Sequence, residues 1–151
     1  MPKSSSSGKT VPLDLVLDAN VMVSGLRSSR GASFRILQMI RRGNLSFRLH
    51  LSTAVLLEYE EVLQRNFVPA RYRADQIGDF LDDLVAASVR HAQIKGLRPV
   101  SADPDDDSLV ELAVTADVRA LITFNTRHFA KISALGIDLL TPGQLLQRYP
   151  G

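Results

Sequence analysis

The sequence predicts an α/β fold: a central, mainly parallel sheet of four to five strands held between helices, a three-layer α/β/α sandwich. Two observations carry this. Short apolar runs alternate along the chain with segments whose apolar residues recur at helical spacing. Leu13–Leu17 and Ala120–Phe124 also read as buried strands, and strands alternating with helices imply a parallel sheet covered on both faces. No internal repeat and no internal linker divides the chain. Residues 13–151 therefore read as one domain, and residues 1–12, with Ser4-Ser5-Ser6-Ser7-Gly8, as a flexible N-terminal tail.

The elements follow in order. Leu13–Leu17 is an apolar run and reads as a buried strand, ending in a polar loop at Asp18-Ala19-Asn20. Ser33–Arg42 places Phe34, Leu37 and Ile40 at helical spacing, and Gly43-Asn44 stops it. Phe47–Leu51 alternates as a strand. Ser52 or Thr53 caps a helix running to about Asn66, with Val55, Leu56, Tyr59, Val62 and Leu63 on its apolar side. Ile77, Leu81, Leu84, Val85 and Val89 predict a helix over Ala74–His91, and Leu109–Ala116 predicts another. Ala120–Phe124 is a buried strand with a polar loop, Asn125–His128, at its end. Thr126–Leu135 reads as helical and Ile137–Leu140 as the last strand. Pro142–Arg148 is the last helix, with Thr141 as N-cap and Pro142 at its first position.

Composition closes off several function classes. The chain has no cysteine, which excludes disulfides, cysteine–zinc sites and thiol catalysis. No apolar run approaches the roughly 20 residues that span a bilayer, and residues 1–12 contain no signal-type apolar region. The expectation is a cytoplasmic protein with no membrane association. Net charge is +2, and of 18 basic residues only Lys3, Lys9, Lys95 and Lys131 are lysines. Arginine favours bidentate phosphate contact, but so small a net charge is a weak nucleic-acid signal.

Against that basic background Asp103-Pro104-Asp105-Asp106-Asp107 concentrates four of the sixteen acids just ahead of a helix. Carboxylates so packed repel unless a cation or water screens them. Helix capping is one reading: an N-cap contributes about 1 kcal/mol and a first-turn acid about 0.3–1 kcal/mol. One cap and one first-turn acid collect most of that, and further carboxylates add repulsion, so capping and a metal site stand level on this cluster alone. Topology adds partners. In open parallel sheets ligands bind beyond the carboxyl ends of the strands. Asp18 and Asn20 follow the first strand, Asn125 follows Ala120–Phe124, and Glu58 lies about a turn and a half into its helix, able to point along the same edge. Each has an ordinary alternative. Asp18, Asn20 and Asn125 are common turn residues, and most helical glutamates, Glu58 included, are solvated.

The motifs, taken together, resemble the PIN domain family, in particular its VapC-like toxins of bacterial toxin–antitoxin pairs. Leu15-Val16-Leu17-Asp18-Ala19-Asn20-Val21 with Ser24-Gly25-Leu26 is similar to that family's opening strand ending in Asp-x-Asn. Leu57-Glu58-Tyr59-Glu60-Glu61-Val62-Leu63 is similar to its second acidic motif. Asp103–Asp107 with Leu109 and Leu112-Ala113 resembles its third, and Leu121-Ile122-Thr123-Phe124-Asn125-Thr126-Arg127-His128-Phe129 its fourth. The resemblance spans about Leu13 to Leu146 in order.

What the resemblance implies is a Mg²⁺- or Mn²⁺-dependent endoribonuclease whose carboxylate core is Asp18, Glu58 and Asp106. Asp103 and Asp107 are secondary metal ligands, and Asn20, Thr123 and Asn125 are supporting residues. The residue types suit the chemistry, because hard divalent ions prefer oxygen ligands and phosphodiester hydrolysis needs a nucleophilic water and charge neutralisation. Asn125 departs from the pattern, since many relatives have an acid there, which puts a second metal site in doubt. Arg27, Arg30 and Arg127 sit in loops at the rim, where they can meet RNA phosphates, although solvated loop arginines are the ordinary case. The resemblance further implies a homodimer and a cognate antitoxin. A catalytically weak or inactive PIN-fold module that binds RNA or a protein partner is the alternative. A phosphoacceptor receiver domain lacks its strand-end lysine here, and a haloacid-dehalogenase-type phosphatase would need an Asp where Asn20 stands. His50, His91 and His128 lack metal-ligand spacing and read as surface or structural, with His128 near enough to the site for a substrate contact.

Overall fold

The computed structural model describes residues 11–43, 46–91 and 104–149, with residues 104–107 described by their backbone alone. Strands β1 (Leu13–Leu17), β2 (Phe47–Ser52), β3 (Val89–His91), β4 (Ala120–Ile122) and β5 (Asp138–Leu140) form one sheet in the order β3-β2-β1-β4-β5. Every pairing is parallel. Leu15, Val16 and Leu17 are consecutive and all fully buried, as are Leu121 and Ile122. Side chains alternate faces along a strand, so burial of successive residues means that both faces of the sheet are covered. The expected layered α/β architecture is therefore what forms.

The helices are α1 (Ala19–Arg27), α2 (Ala32–Arg41), α3 (Thr53–Phe67), α4 (Ala74–Ala86), α5 (Pro104–Thr115) and α6 (Pro142–Arg148), with a 3₁₀ segment over Thr126–Leu135. Local chemistry accounts for several boundaries. The Ser52 hydroxyl accepts from the Val55 N–H at 3.2 Å and starts α3. Thr141 and Gln144 form a reciprocal capping box around Pro142 at the start of α6. Gly136, at φ 82°, closes the 3₁₀ segment in the left-handed conformation that glycine adopts without a Cβ penalty.

Three elements differ from the sequence reading. The polar loop expected at Asp18-Ala19-Asn20 is instead the beginning of α1, with Asp18 as its N-cap residue. Asn20, Ser24 and Gly25 are poor helix formers, and the helix is held by burial of Ala19, Val21 and Met22. It packs on α2 so closely that a Cβ on Gly25 would lie 2.4 Å from Leu37 Cδ1. The helix expected to reach His91 stops at Ala86, and Val89–His91 becomes edge strand β3, paired with His50–Ser52. Val85 and Val89 keep a helical period that the free edge of β2 overrides. Helix α5 starts at Pro104, so the acids Asp105–Asp107 occupy its first turn instead of preceding it.

Candidate active site

The strand order changes direction at β1: β2 lies on one side, β4 on the other. Loops from two such strands diverge and leave a crevice at their carboxyl ends. Asp18 and Thr123 are the first residues past β1 and β4, and the crevice is built around them.

Thr123 is fully buried and its hydroxyl is saturated. It donates to Asp18 Oδ2 at 2.7 Å and accepts from Asn20 Nδ2 at 3.3 Å and from the Asn125 N–H at 3.0 Å. Asn20 Oδ1 in turn accepts from the Phe124 N–H at 3.4 Å. Four of the residues singled out in the sequence, Asp18, Asn20, Thr123 and Asn125, thus share one hydrogen-bond network across the β1/β4 crevice. Burial pushes the Asp18 carboxyl above its ordinary range. The Thr123 hydroxyl, the Ala19 and Asn20 N–H groups and the charge of His128 oppose that rise without cancelling it.

Glu58 is half-buried on α3. Its neighbour Tyr59 is fully buried, and the Tyr59 hydroxyl donates to the Leu17 carbonyl, one residue before Asp18. Burial raises the Tyr59 phenol well above its usual range, and the charges of Asp18 and of Glu58 raise it further. Both carboxylates therefore bear on one phenol at the end of β1. Tyr59 is a site-building residue that the sequence reading places only on an apolar helix face; its adjacency to Glu58 is the available signal.

Glu58 also lines a cavity of about 300 Å³ with Ala54, Leu57, Glu61, Val62, Arg65 and Ser108. Ser108 follows Asp107 directly, so the start of α5 borders the cavity that holds Glu58. Asp103 lies outside the described residues, as do the side chains of Asp106 and Asp107. Among the described residues no group of three His, Cys, Asp or Glu side chains converges to hold a metal. Asp18 and Glu58 offer hard oxygen donors, and the desolvated Asp18 carboxylate is one that an adjacent divalent cation would stabilise in its charged form. The donor chemistry present fits Mg²⁺ or Mn²⁺.

On the other side of Val62, Asn20, Val23, Ser24, Arg27, Ser28 and Phe124 line a second cavity of about 430 Å³. Arg27 thus shares a cavity with Asn20, a member of the Asp18–Thr123 network. Arg30 and Arg127 are exposed, on the turn after α1 and at the start of the 3₁₀ segment. His50 and His91 lie apart from this cavity lining. His50 is buried between Asp14 (2.8 Å) and His91 (2.9 Å), and Arg48 forms a two-pronged ion pair with Asp14. His50 on β2 and His91 on β3 thus hold each other across neighbouring strands.

The sequence matches the family model of the PIN domain over residues 14–127. The chain belongs to the PIN domain family. PIN domains are in general nucleases. A solved structure described as VapBC2 from Rickettsia felis bound to a DNA fragment from their promoter has the same fold, with a TM-score of 0.56. The likeness covers 84% of this chain and 97% of that one at 15% identity. A comparison with curated protein sequences finds no match. No helix among the described residues of this PIN domain is long and apolar enough to cross a membrane.

Proposed function

We propose that this PIN domain is a Mg²⁺- or Mn²⁺-dependent endoribonuclease, the toxin of a toxin–antitoxin pair. The observation that carries the reading is Asp18: a carboxylate partly desolvated at the sheet's switch point and hydrogen-bonded by a saturated Thr123; the charges of Asp18 and Glu58 both bear on the buried Tyr59 phenol. A half-buried carboxyl pushed above its ordinary range by desolvation is the kind of group that clusters at functional sites. In this reading Asp18, Glu58 and Asp106 hold the ion, with Asp103 and Asp107 contributing to the negative field. When bound, the ion supplies charge neutralisation at the phosphate and a more acidic water.

The chain's own residues do the rest. Thr123 holds the Asp18 carboxylate by donating to its Oδ2, and the Ala19 and Asn20 N–H groups hold it further. Asn20, held at both ends of its amide by Thr123 and the Phe124 N–H, positions the substrate. Arg27 meets a phosphate next to the scissile one, and Arg30 and Arg127 extend positive charge along the rim. Support for an antitoxin partner comes from the fold shared with VapBC2. A homodimer and a cytoplasmic location belong to the same proposal.

The test is RNA cleavage with Mg²⁺, with Mn²⁺ and with a chelator, for the wild type and for Asp18→Asn. Cleavage is expected with either ion and is expected to fall to background with chelator or mutation. Activity surviving both treatments sinks the mechanism. Asn125 favours a second reading, a weak or inactive module that binds RNA or a partner, because a neutral amide adds no charge to the site. Under that reading the wild type itself stays at background with every ion.

A further inference from the structure

The Asn20–Phe124 cavity contains a feature that the chemistry above does not use. Phe124 directly follows the fully buried Thr123, yet is itself 50% exposed. An aromatic ring left half in water beside a catalytic network forgoes burial that a bound ligand would restore. The ring shares its cavity with Val23 and Val62, with the hydroxyl-bearing Ser24 and Ser28, and with Arg27. Its backbone is also fixed: the Phe124 N–H donates to Asn20, whose amide bonds Thr123, which bonds Asp18. The Phe124 backbone is therefore tied through three hydrogen bonds to the carboxylate at the switch point.

We propose that this cavity is a nucleobase subsite: an unpaired base next to the cleaved phosphate stacks on Phe124 while Arg27 takes the adjoining phosphate. The inference rests on the nuclease reading and adds to it a place for one base, on the Phe124 ring. The mixture of parts is what argues for it. A flat apolar ring, aliphatic walls and one guanidinium match the π-face and the anion of a single nucleotide. At about 430 Å³ the cavity is the size of a small-molecule site rather than of a duplex groove. Stacking on a ring tolerates any base, so the subsite selects for unpaired structure more than for sequence.

The chain has no tryptophan, so Phe124→Trp places the protein's one indole in the cavity. The experiment uses the full chain in the Asp18→Asn background, with Mg²⁺, so that the strand stays intact. The probes are hexauridylate, hexathymidylate and an abasic ribose-phosphate hexamer. Quenching of the indole emission by the base-bearing oligomers and not by the abasic one is the expected result. Phe124→Leu, which keeps an apolar side chain without the ring, is expected to weaken hexauridylate binding about 5- to 150-fold, the range for loss of one base–aromatic stack. Its salt dependence should stay as steep as before, whereas Arg27→Gln lowers the slope by about one phosphate's worth. Equal affinity of Phe124→Leu and its parent, or equal quenching by the abasic strand, overturns the subsite and leaves the cavity to a protein partner. Were Asp18→Asn to cleave RNA like the wild type, the nuclease mechanism would fail. A dead Asp18→Asn whose RNA binding ignores Phe124 would remove only the subsite.

Discussion

Replacing Thr123 by valine removes one hydroxyl while keeping the shape of the side chain, and the hydroxyl is the hub of the site. It makes one hydrogen bond to a carboxylate, at 2.7 Å, and two to amide N–H groups, at 3.3 and 3.0 Å. A bond to a charged group contributes about 1.5–3 kcal/mol and a neutral one about 0.5–1.5 kcal/mol. Asn125 is exposed and Asn20 only half-buried, so water replaces most of what their amides lose. The carboxylate bond then dominates, and Thr123→Val is expected to cost about 2–3 kcal/mol. For a domain of this size that lowers Tm by about 4–12 °C. Thermal and denaturant unfolding in chelator, against Thr123→Ser as the hydroxyl-keeping control, measure it. The second consequence is electrostatic. Thr123 lowers the Asp18 pKa against the opposing effect of burial. Without the hydroxyl the carboxyl rises further, so Asp18 ionises at higher pH and the acid limb of the cleavage profile moves to the alkaline side. A Thr123→Val protein as stable as the wild type, with an unmoved acid limb, would refute the idea that this hydroxyl holds the carboxylate.

Two further predictions concern the frame around the site. Gly25→Ala gains about 0.5–1 kcal/mol of helix propensity but drives a methyl into the buried Leu37, an overpacking cost of about 1–3 kcal/mol; denaturant midpoints should show net destabilisation, and α1, which carries Asn20, should lose activity with it. Asp14 is held at about 2 chiefly by its hydrogen bonds from Arg48, with His50 assisting and burial opposing. Its folded pKa is depressed, so the contribution is complete above the ordinary carboxylate pKa near 4 and is lost as pH falls from there through about 2. Arg48 is half exposed, and solvent screening brings the contribution to about 1 kcal/mol. Asp14→Asn should therefore destabilise at about pH 6, and the gap to the wild type should close between about pH 4 and 2 in acid-unfolding curves.

Part of the candidate site is readable because acids and amides at strand ends have a place to go once the strands are known to be parallel. Asp18, Asn20 and Asn125 each stand just after an apolar run, Thr123 stands near the end of one, and the structure joins all four. Tyr59 is not legible in the same way, because a tyrosine at helical spacing looks the same whether its hydroxyl is idle or bonded to the Leu17 carbonyl. Phe124 completes an apolar run and so reads as the last residue of a buried strand. The strand ends two residues earlier, and the ring faces a cavity that no periodicity reveals.

The sequence by itself determined the alternation of strands and helices, the parallel sheet, the cap at Thr141, and the set of polar residues near the crevice. These follow from local propensity and from burial patterns with a fixed period, which are written residue by residue. Only the tertiary structure decided that Ala19–Arg27 is a helix and Val89–His91 a strand. In the first case burial against α2 outweighs poor propensity. In the second the unpaired edge of β2 offers hydrogen bonds that a continued helix cannot match. The same holds for Asp18: its identity is local, but its raised pKa comes from desolvation, and the hydroxyl that restrains it belongs to a residue more than a hundred positions away. No window of sequence contains both.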